Sequence, residues 1–263
     1  MNKILLASAI ALFSANPVLA AAPKQLATGN DISYPQCKTK LPTGQLFGIV
    51  GVNDGLANNT NPCLAKEQAW AAASTGTTLL GKEALYINTA NPALASTTWP
   101  TNNTSFTGST IATGHGTCDH TDSAVCAYVY GYKKSQEDVL SRGVSTPTAF
   151  QWWLDVETAN SWETGSSVGQ YNDVAALEGF VQGLLDSGVT KVGLYSTSYQ
   201  WVQIVGTQVG STSNLNGLDS WLPGATSLAG AQSNCSQQAL TTSGKVTISQ
   251  YFTSTIDRDI SCF

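Results

Sequence analysis

The chain has 263 residues with a formal charge of -5, and only 11% of them are Asp, Glu, Lys or Arg. So sparse and acidic a composition lacks the clustered lysine and arginine that phosphate contacts require, which argues against a nucleic-acid partner. The six cysteines, an even number with no CxxC pair, point to disulfides in an oxidising compartment rather than to metal or redox chemistry.

Residues 1–20, MNKILLASAIALFSANPVLA, combine an early Lys3, an apolar stretch from Ile4, Pro17 and a small-residue ending. This is the pattern of a secretory signal peptide. Ser14, Asn16 and Pro17 interrupt the run, and nothing after Ala20 is long and apolar enough to span a bilayer, so no membrane span is expected after signal cleavage. Residues 21–263 are expected to form one α/β domain, a single TIM-like (β/α) barrel, secreted into the extracellular or cell-wall space as a monomer.

Along that domain, short β-rich runs alternate with helical patterns, as in parallel strands joined by crossover helices. Strands are expected around Asp31, in FGIVGV from Phe47, in ALYIN from Ala84, and in QWWLDVE from Gln151. KVGLYS, SWLPG and VTISQYF complete the set. Helical patterns occupy LAKEQAWAAAS, SYQWVQIVG and, most clearly, DVAALEGFVQGLLDSG, where Val174, Leu177, Val181, Leu184 and Leu185 share a helical face. Asp173 is placed to cap that helix and Gly188 to end it.

Between about 91 and 126 the composition shifts to Thr, Asn, Ser, Gly and Pro, which reads as a long loop insertion. Its HGTCDH segment holds His115, Cys118 and His120 at spacings that a metal could use. Cys118 has Cys126 close by as a bonding partner, and no metal or other cofactor is expected. The expected disulfides are Cys37 to Cys63, Cys118 to Cys126, and Cys235 to Cys262, each closing a local loop.

The chemistry-bearing segment is FQWWLDVETANSW. In a strand, Gln151, Trp153, Asp155 and Glu157 project to one side and Trp152, Leu154 and Val156 to the other. If the apolar set packs against helices, the two acids point into the barrel, where a lone buried charge is costly. They are therefore expected at the open carboxyl end, where barrels place catalytic groups. Two like charges held close raise one pKa, leaving a protonated acid beside a carboxylate. Cleavage of a glycosidic bond needs this division of labour.

GNDIS, FGIVGVNDG, ALYINTANP, WWLDVE, VGLYSTSYQW and ISQYFTSTIDRDIS resemble, in that order, the strand motifs of the lysozymes of glycoside hydrolase family 25. The resemblance covers nearly all of residues 21–263, and the WWLDVET segment and the cysteines resemble secreted bacterial relatives of that family. It implies a muramidase-like barrel whose site is lined by Asp31, Asp155, Glu157 and Asp257. Glu157 is implied as the acid, and Asp155 as the group that orients the substrate's acetamido group or acts on the anomeric carbon. The chain departs from the family at its usual YHF segment, here LYINTANP, and at WQY, where Ser249 takes the place of the tryptophan.

Aromatic rings cover the apolar face of a pyranose, and Tyr34, Tyr86, Trp153, Trp162, Tyr195, Trp201 and Tyr251 are candidates for that role. Asn88 and Gln250 are candidate partners for sugar hydroxyls, and Asp54 matches an acidic residue that the family carries after its second strand. The expected partner is a cell-wall glycan or related polysaccharide. Two other functions fit the same residues: a barrel that binds cell-wall glycan without cleaving it, and a phosphodiesterase holding Mg²⁺ or Ca²⁺ on the four acids.

Overall fold

The computed structural model describes residues 26–77, 80–92, 98–253 and 256–263. The signal peptide expected at 1–20 lies outside the described residues. Eight strands form a closed barrel in sequence order: β1 (Thr28–Ile32), β2 (Phe47–Gly51), β3 (Glu83–Asn88), β4 (Gln151–Asp155), β5 (Lys191–Tyr195), β6 (Asp219–Ala225), β7 (Val246–Tyr251) and β8 (Arg258–Ser261). The helices are α1 (Leu64–Ala72), α2 (Ala124–Ser141), α3 (Ser167–Asp186), α4 (Ser198–Val205) and α5 (Leu228–Asn234).

The expected barrel is present, with two corrections. β8 was not foreseen as a strand, and it runs antiparallel to both β7 and β1, so the sheet is not wholly parallel. Only residues 252–257 separate it from β7, and a parallel return needs a crossover of a dozen residues or more. Among the described residues, no α-helix follows β1 or β7.

The second correction concerns the insertion, whose irregular part stops short of 126 because α2 begins at Ala124. Ser123 caps that helix by accepting a hydrogen bond from the Cys126 N–H. α2 lies along α3 through small residues. A Cβ on Gly131 would collide with the Ala176 carbonyl oxygen, and one on Gly179 with that of Tyr128. The two backbones therefore approach more closely than side chains would allow.

Two apolar layers hold the barrel. Trp152, Leu154 and Val156 of the β4 segment face outward and pack with Leu177, Phe180 and Leu184 of α3. Inside, Phe47, Ile49, Trp153, Trp221 and Ile248 fill the bore, with Tyr86 and Tyr195 against them. The alternation read from QWWLDVE is the alternation observed. All three expected disulfides are formed: Cys37 to Cys63, Cys118 to Cys126, and Cys235 to Cys262. The last ties the end of α5 to the residue that follows β8.

Candidate active site

Asp31 lies on β1, Asp155 ends β4, and Glu157 is two residues beyond it. Asp257 immediately precedes β8. Because β8 is antiparallel, its amino end shares a rim with the carboxyl ends of the other seven strands. The four acids meet there. Asp31 feels the charge of Asp257, Asp155 that of Asp31 and of Glu157, and Glu157 that of Asp257, so the interactions close into a ring.

Each acid is held by its surroundings. Gln250 of β7 donates to Asp31 Oδ2 at 2.9 Å, and the Tyr195 hydroxyl donates to Gln250 Oε1 at 3.0 Å. Asn30 donates to the Asp257 carbonyl oxygen at 2.9 Å, fixing the backbone where it enters β8. Trp162 Nε1 donates to the Glu157 carbonyl oxygen at 3.0 Å. The Glu157 carboxylate is hydrogen-bonded by Gln200. Gln200 is itself oriented by Thr158, whose N–H and hydroxyl both donate to its Oε1, at 2.7 and 2.9 Å.

The electrostatics follow from burial and from crowding by like charges. Asp31 is raised to about 7, chiefly by burial and then by Asp257, against the hydrogen bond from Gln250. Asp155 is raised well above the carboxylate range by burial, then by Glu157 and Asp31. Its Oδ1 is buried with no hydrogen-bond partner. Glu157 is raised by burial, opposed by Gln200. Burial also raises Asp257. Such a cluster retains protons at a pH where isolated carboxyls have lost theirs, and the protons belong to the coupled set.

The aromatic candidates divide. Tyr34, 42% exposed just past β1, offers a ring to solvent. Tyr86 and Tyr195 pack edge-on against Trp221, at centroid distances of 6.3 and 4.5 Å, and both lie near enough to Asp155 and Asp31 to feel their charges. Asn88 pairs with Asp155 in the β3–β4 register. Trp153 is a correction: it is 2% exposed and lines a cavity of about 500 Å³ at the opposite end of the barrel, so its ring cannot reach a sugar at the acid-bearing rim. Trp201 packs in the outer layer, and Tyr251 lies against Ala231 of α5. Trp162 serves through its indole N–H to Glu157 instead of through a free face.

Three residues of the site were not foreseen: Gln200, Trp221 and Asp259. Asp259 is a fully buried fifth acid, and its Oδ1 accepts a 2.9 Å hydrogen bond from Trp221 Nε1. The sequence signal for it is DRD, the same two-residue spacing as DVE. Reading a strand over RDIS would have turned Asp259 into the barrel. As to metal, the only three His, Cys, Asp or Glu side chains of the described residues with ligand atoms within 4.8 Å of one another are Cys37, Cys63 and Glu67. Two of these are joined in a disulfide. The four rim acids do not gather three oxygens that tightly.

Fold and rim together define a (β/α) barrel with four interacting carboxyl groups at the carboxyl ends of its parallel strands. No protein-family profile matches the chain, and no curated protein sequence is similar enough to count as a match. Solved structures do match. A family GH25 lysozyme from Aspergillus fumigatus superposes with a TM-score of 0.52 at 14% identity, over 90% of this chain and 94% of that one. The bacterial lysozyme from Streptomyces coelicolor gives 0.51 at 13% identity, over 90% and 92%. The modular autolysin LytC from Streptococcus pneumoniae, in complex with a synthetic peptidoglycan ligand, gives 0.53 at 12% identity, over 91% of this chain and 47% of that one. The fold therefore resembles that of the glycoside hydrolase family 25 lysozymes, as its motifs imply.

Proposed function

We propose that the protein is a secreted glycoside hydrolase that cleaves peptidoglycan or a related amino-sugar polymer by carboxylate acid catalysis. The observation that carries this reading is the ring of four mutually interacting acids on one barrel rim, with Asp155 and Glu157 sharing the crowded centre. The fold shared with lysozymes supports it, as does the peptidoglycan ligand bound by LytC.

Glu157 is half-buried at the mouth, where a leaving oxygen can reach it, and burial favours its protonated form. It delivers the proton to the glycosidic oxygen as the bond breaks. Asp155 sits deeper, with one oxygen unpartnered. Asp155 is assigned to the substrate's acetamido group or the anomeric carbon through its other oxygen, since the unpartnered Oδ1 is enclosed by the protein. The negative charge left on the pair once the proton has gone offsets the positive charge developing at the sugar. Asp31 and Asp257 complete the wall opposite. Tyr34 supplies a stacking face, and Asn88, Gln250 and the Tyr86 and Tyr195 hydroxyls offer hydrogen-bonding groups to the sugar.

The deciding experiment incubates the mature protein with a panel of purified peptidoglycans and with chitin, and identifies the products by mass. New reducing ends are the expected result. Binding without product would establish the non-catalytic barrel. Phosphodiester cleavage that a chelator abolishes would establish the metal-dependent alternative.

A further inference from the structure

Asp259 has no place in the scheme above, and its surroundings give it one. It lies on β8, paired across the sheet with Gln250 on one side and Gly29 on the other. Gly29 and Asp31 share a face of β1, so Asp259 is the diagonal neighbour of Asp31. The two carboxyl groups are within hydrogen-bonding reach of each other. Asp259 Oδ1 is occupied by Trp221 Nε1. Its Oδ2 is buried, and no N–H or hydroxyl donates to it.

An ionised Asp259 would leave that oxygen unsatisfied in the barrel interior and would set a second negative charge against Asp31, both of which cost free energy. The charges that act on it come from Asp31 on β1 and Asp257 at the entry to β8, both acids; Trp221 from β6 is neutral. Gln250 from β7 is neutral too; one of its two amide N–H groups donates to Asp31, and neither reaches Asp259 Oδ2. A protonated Asp259 removes the conflict, because its hydroxyl donates to Asp31 while its carbonyl oxygen keeps the indole.

We propose that Asp259 is a neutral carboxylic acid that donates a hydrogen bond to Asp31, and that with Gln250 it positions Asp31 as an acceptor at the rim. It is a positioning residue, acting through Asp31. Burial and the Asp31 charge both hold its proton on, in agreement with this geometry. That the site cleaves glycan is the reading given above. The assignment of the proton can be tested without it.

The test is carbon-13 NMR of the full chain with labelled aspartate side chains, titrated between about pH 4 and about pH 9. The Asp259 signal, identified by its loss in Asp259→Asn, is expected to remain that of a protonated acid at about pH 7, and to titrate lower in Asp31→Asn, where an amide replaces the neighbouring charge. An ionised Asp259 at about pH 6, or a titration unaffected by Asp31→Asn, overturns the proposal.

Turnover on peptidoglycan adds the functional consequence. Asn keeps both a donor for Asp31 and an acceptor for Trp221, so Asp259→Asn should lose no more than about tenfold in kcat, with the acid limb set by Asp31 moved to higher pH because an amide is a weaker donor than a carboxylic acid. Asp259→Leu removes both bonds and should lose about 10²-fold in kcat with KM little changed. Equal losses in the two variants with no movement of the pH profile would reduce Asp259 to a structural residue and overturn its positioning role. Should the Leu variant fail to fold, judged by melting, the Asn variant and the NMR titration decide between them. A wild type that releases no reducing ends sinks the functional reading, and the NMR titration still decides where the proton sits.

Discussion

Gln250 on β7 donates its side-chain amide to Asp31 on β1 at 2.9 Å, across a sequence separation of 219 residues. The contact spans the antiparallel β8, which lies between these two strands in the sheet. The seam that closes the barrel is thus also one side of the acid-bearing rim. Gln250→Leu would leave the Tyr195 hydroxyl without its acceptor and Asp31 without one of its donors. Leaving such groups unpaired costs about 1–3 kcal/mol. A lower melting temperature and at least a tenfold loss of glycan cleavage are expected, read by calorimetry and by release of reducing ends.

Glu157→Gln keeps the shape and hydrogen-bonding capacity of the side chain and removes its proton. Cleavage should fall by about 10²- to 10⁴-fold. Melting and glycan pull-down should stay near wild type, since the amide can still meet a sugar. A variant that retains wild-type product release would dismiss Glu157 as the acid.

Gln200 lowers the proton affinity of Glu157 through its hydrogen bond. In Gln200→Ala that affinity rises, and a general acid is active while protonated, so the alkaline limb of the pH–rate profile should move to higher pH. The rate at the optimum should fall as well, because the carboxyl loses the group that orients it. An unmoved limb would show that Gln200 does not govern the acid.

Gly179 marks the closest approach of α3 to α2, with the Tyr128 carbonyl oxygen where a Cβ would sit. Gly179→Ala should destabilise the fold by about 1–3 kcal/mol, the usual cost of overpacking, in spite of alanine's better helix propensity. Chemical denaturation of the variant measures it. A gain in stability would mean that the helices separate without penalty.

Stability itself should depend on pH. Asp31, Asp138, Glu163 and Asp173 are each raised to about 7 in the folded protein, burial being the largest cause in every case. Unfolded, the same groups titrate near the ordinary carboxylate value of about 4. Between the two values the folded state holds more protons than the unfolded state, so stability falls as pH rises from about 4 to about 7. Melting temperature measured across that range should decline, and Asp31→Asn should make the decline shallower.

Much of this molecule is legible in order along the chain. Period-2 alternation in QWWLDVE determines which residues of β4 face the helices and which face the bore, because a strand has only two faces. The helical face of Val174, Leu177, Val181 and Leu184 determines α3 in the same local way. The nearby cysteines 118 and 126 bond as their spacing implies. What the sequence alone does not determine depends on closure. β8 is four residues long, too short for periodicity to stand out, and its direction follows from the length of the connection before it. The inward turn of Asp259, the link from Gln250 to Asp31 and the burial of Trp153 at the far end all arise when β8 joins β7 to β1. These relationships join positions far apart in sequence, and their partners, exposures and proton affinities are set by the packed interior and not by any local pattern.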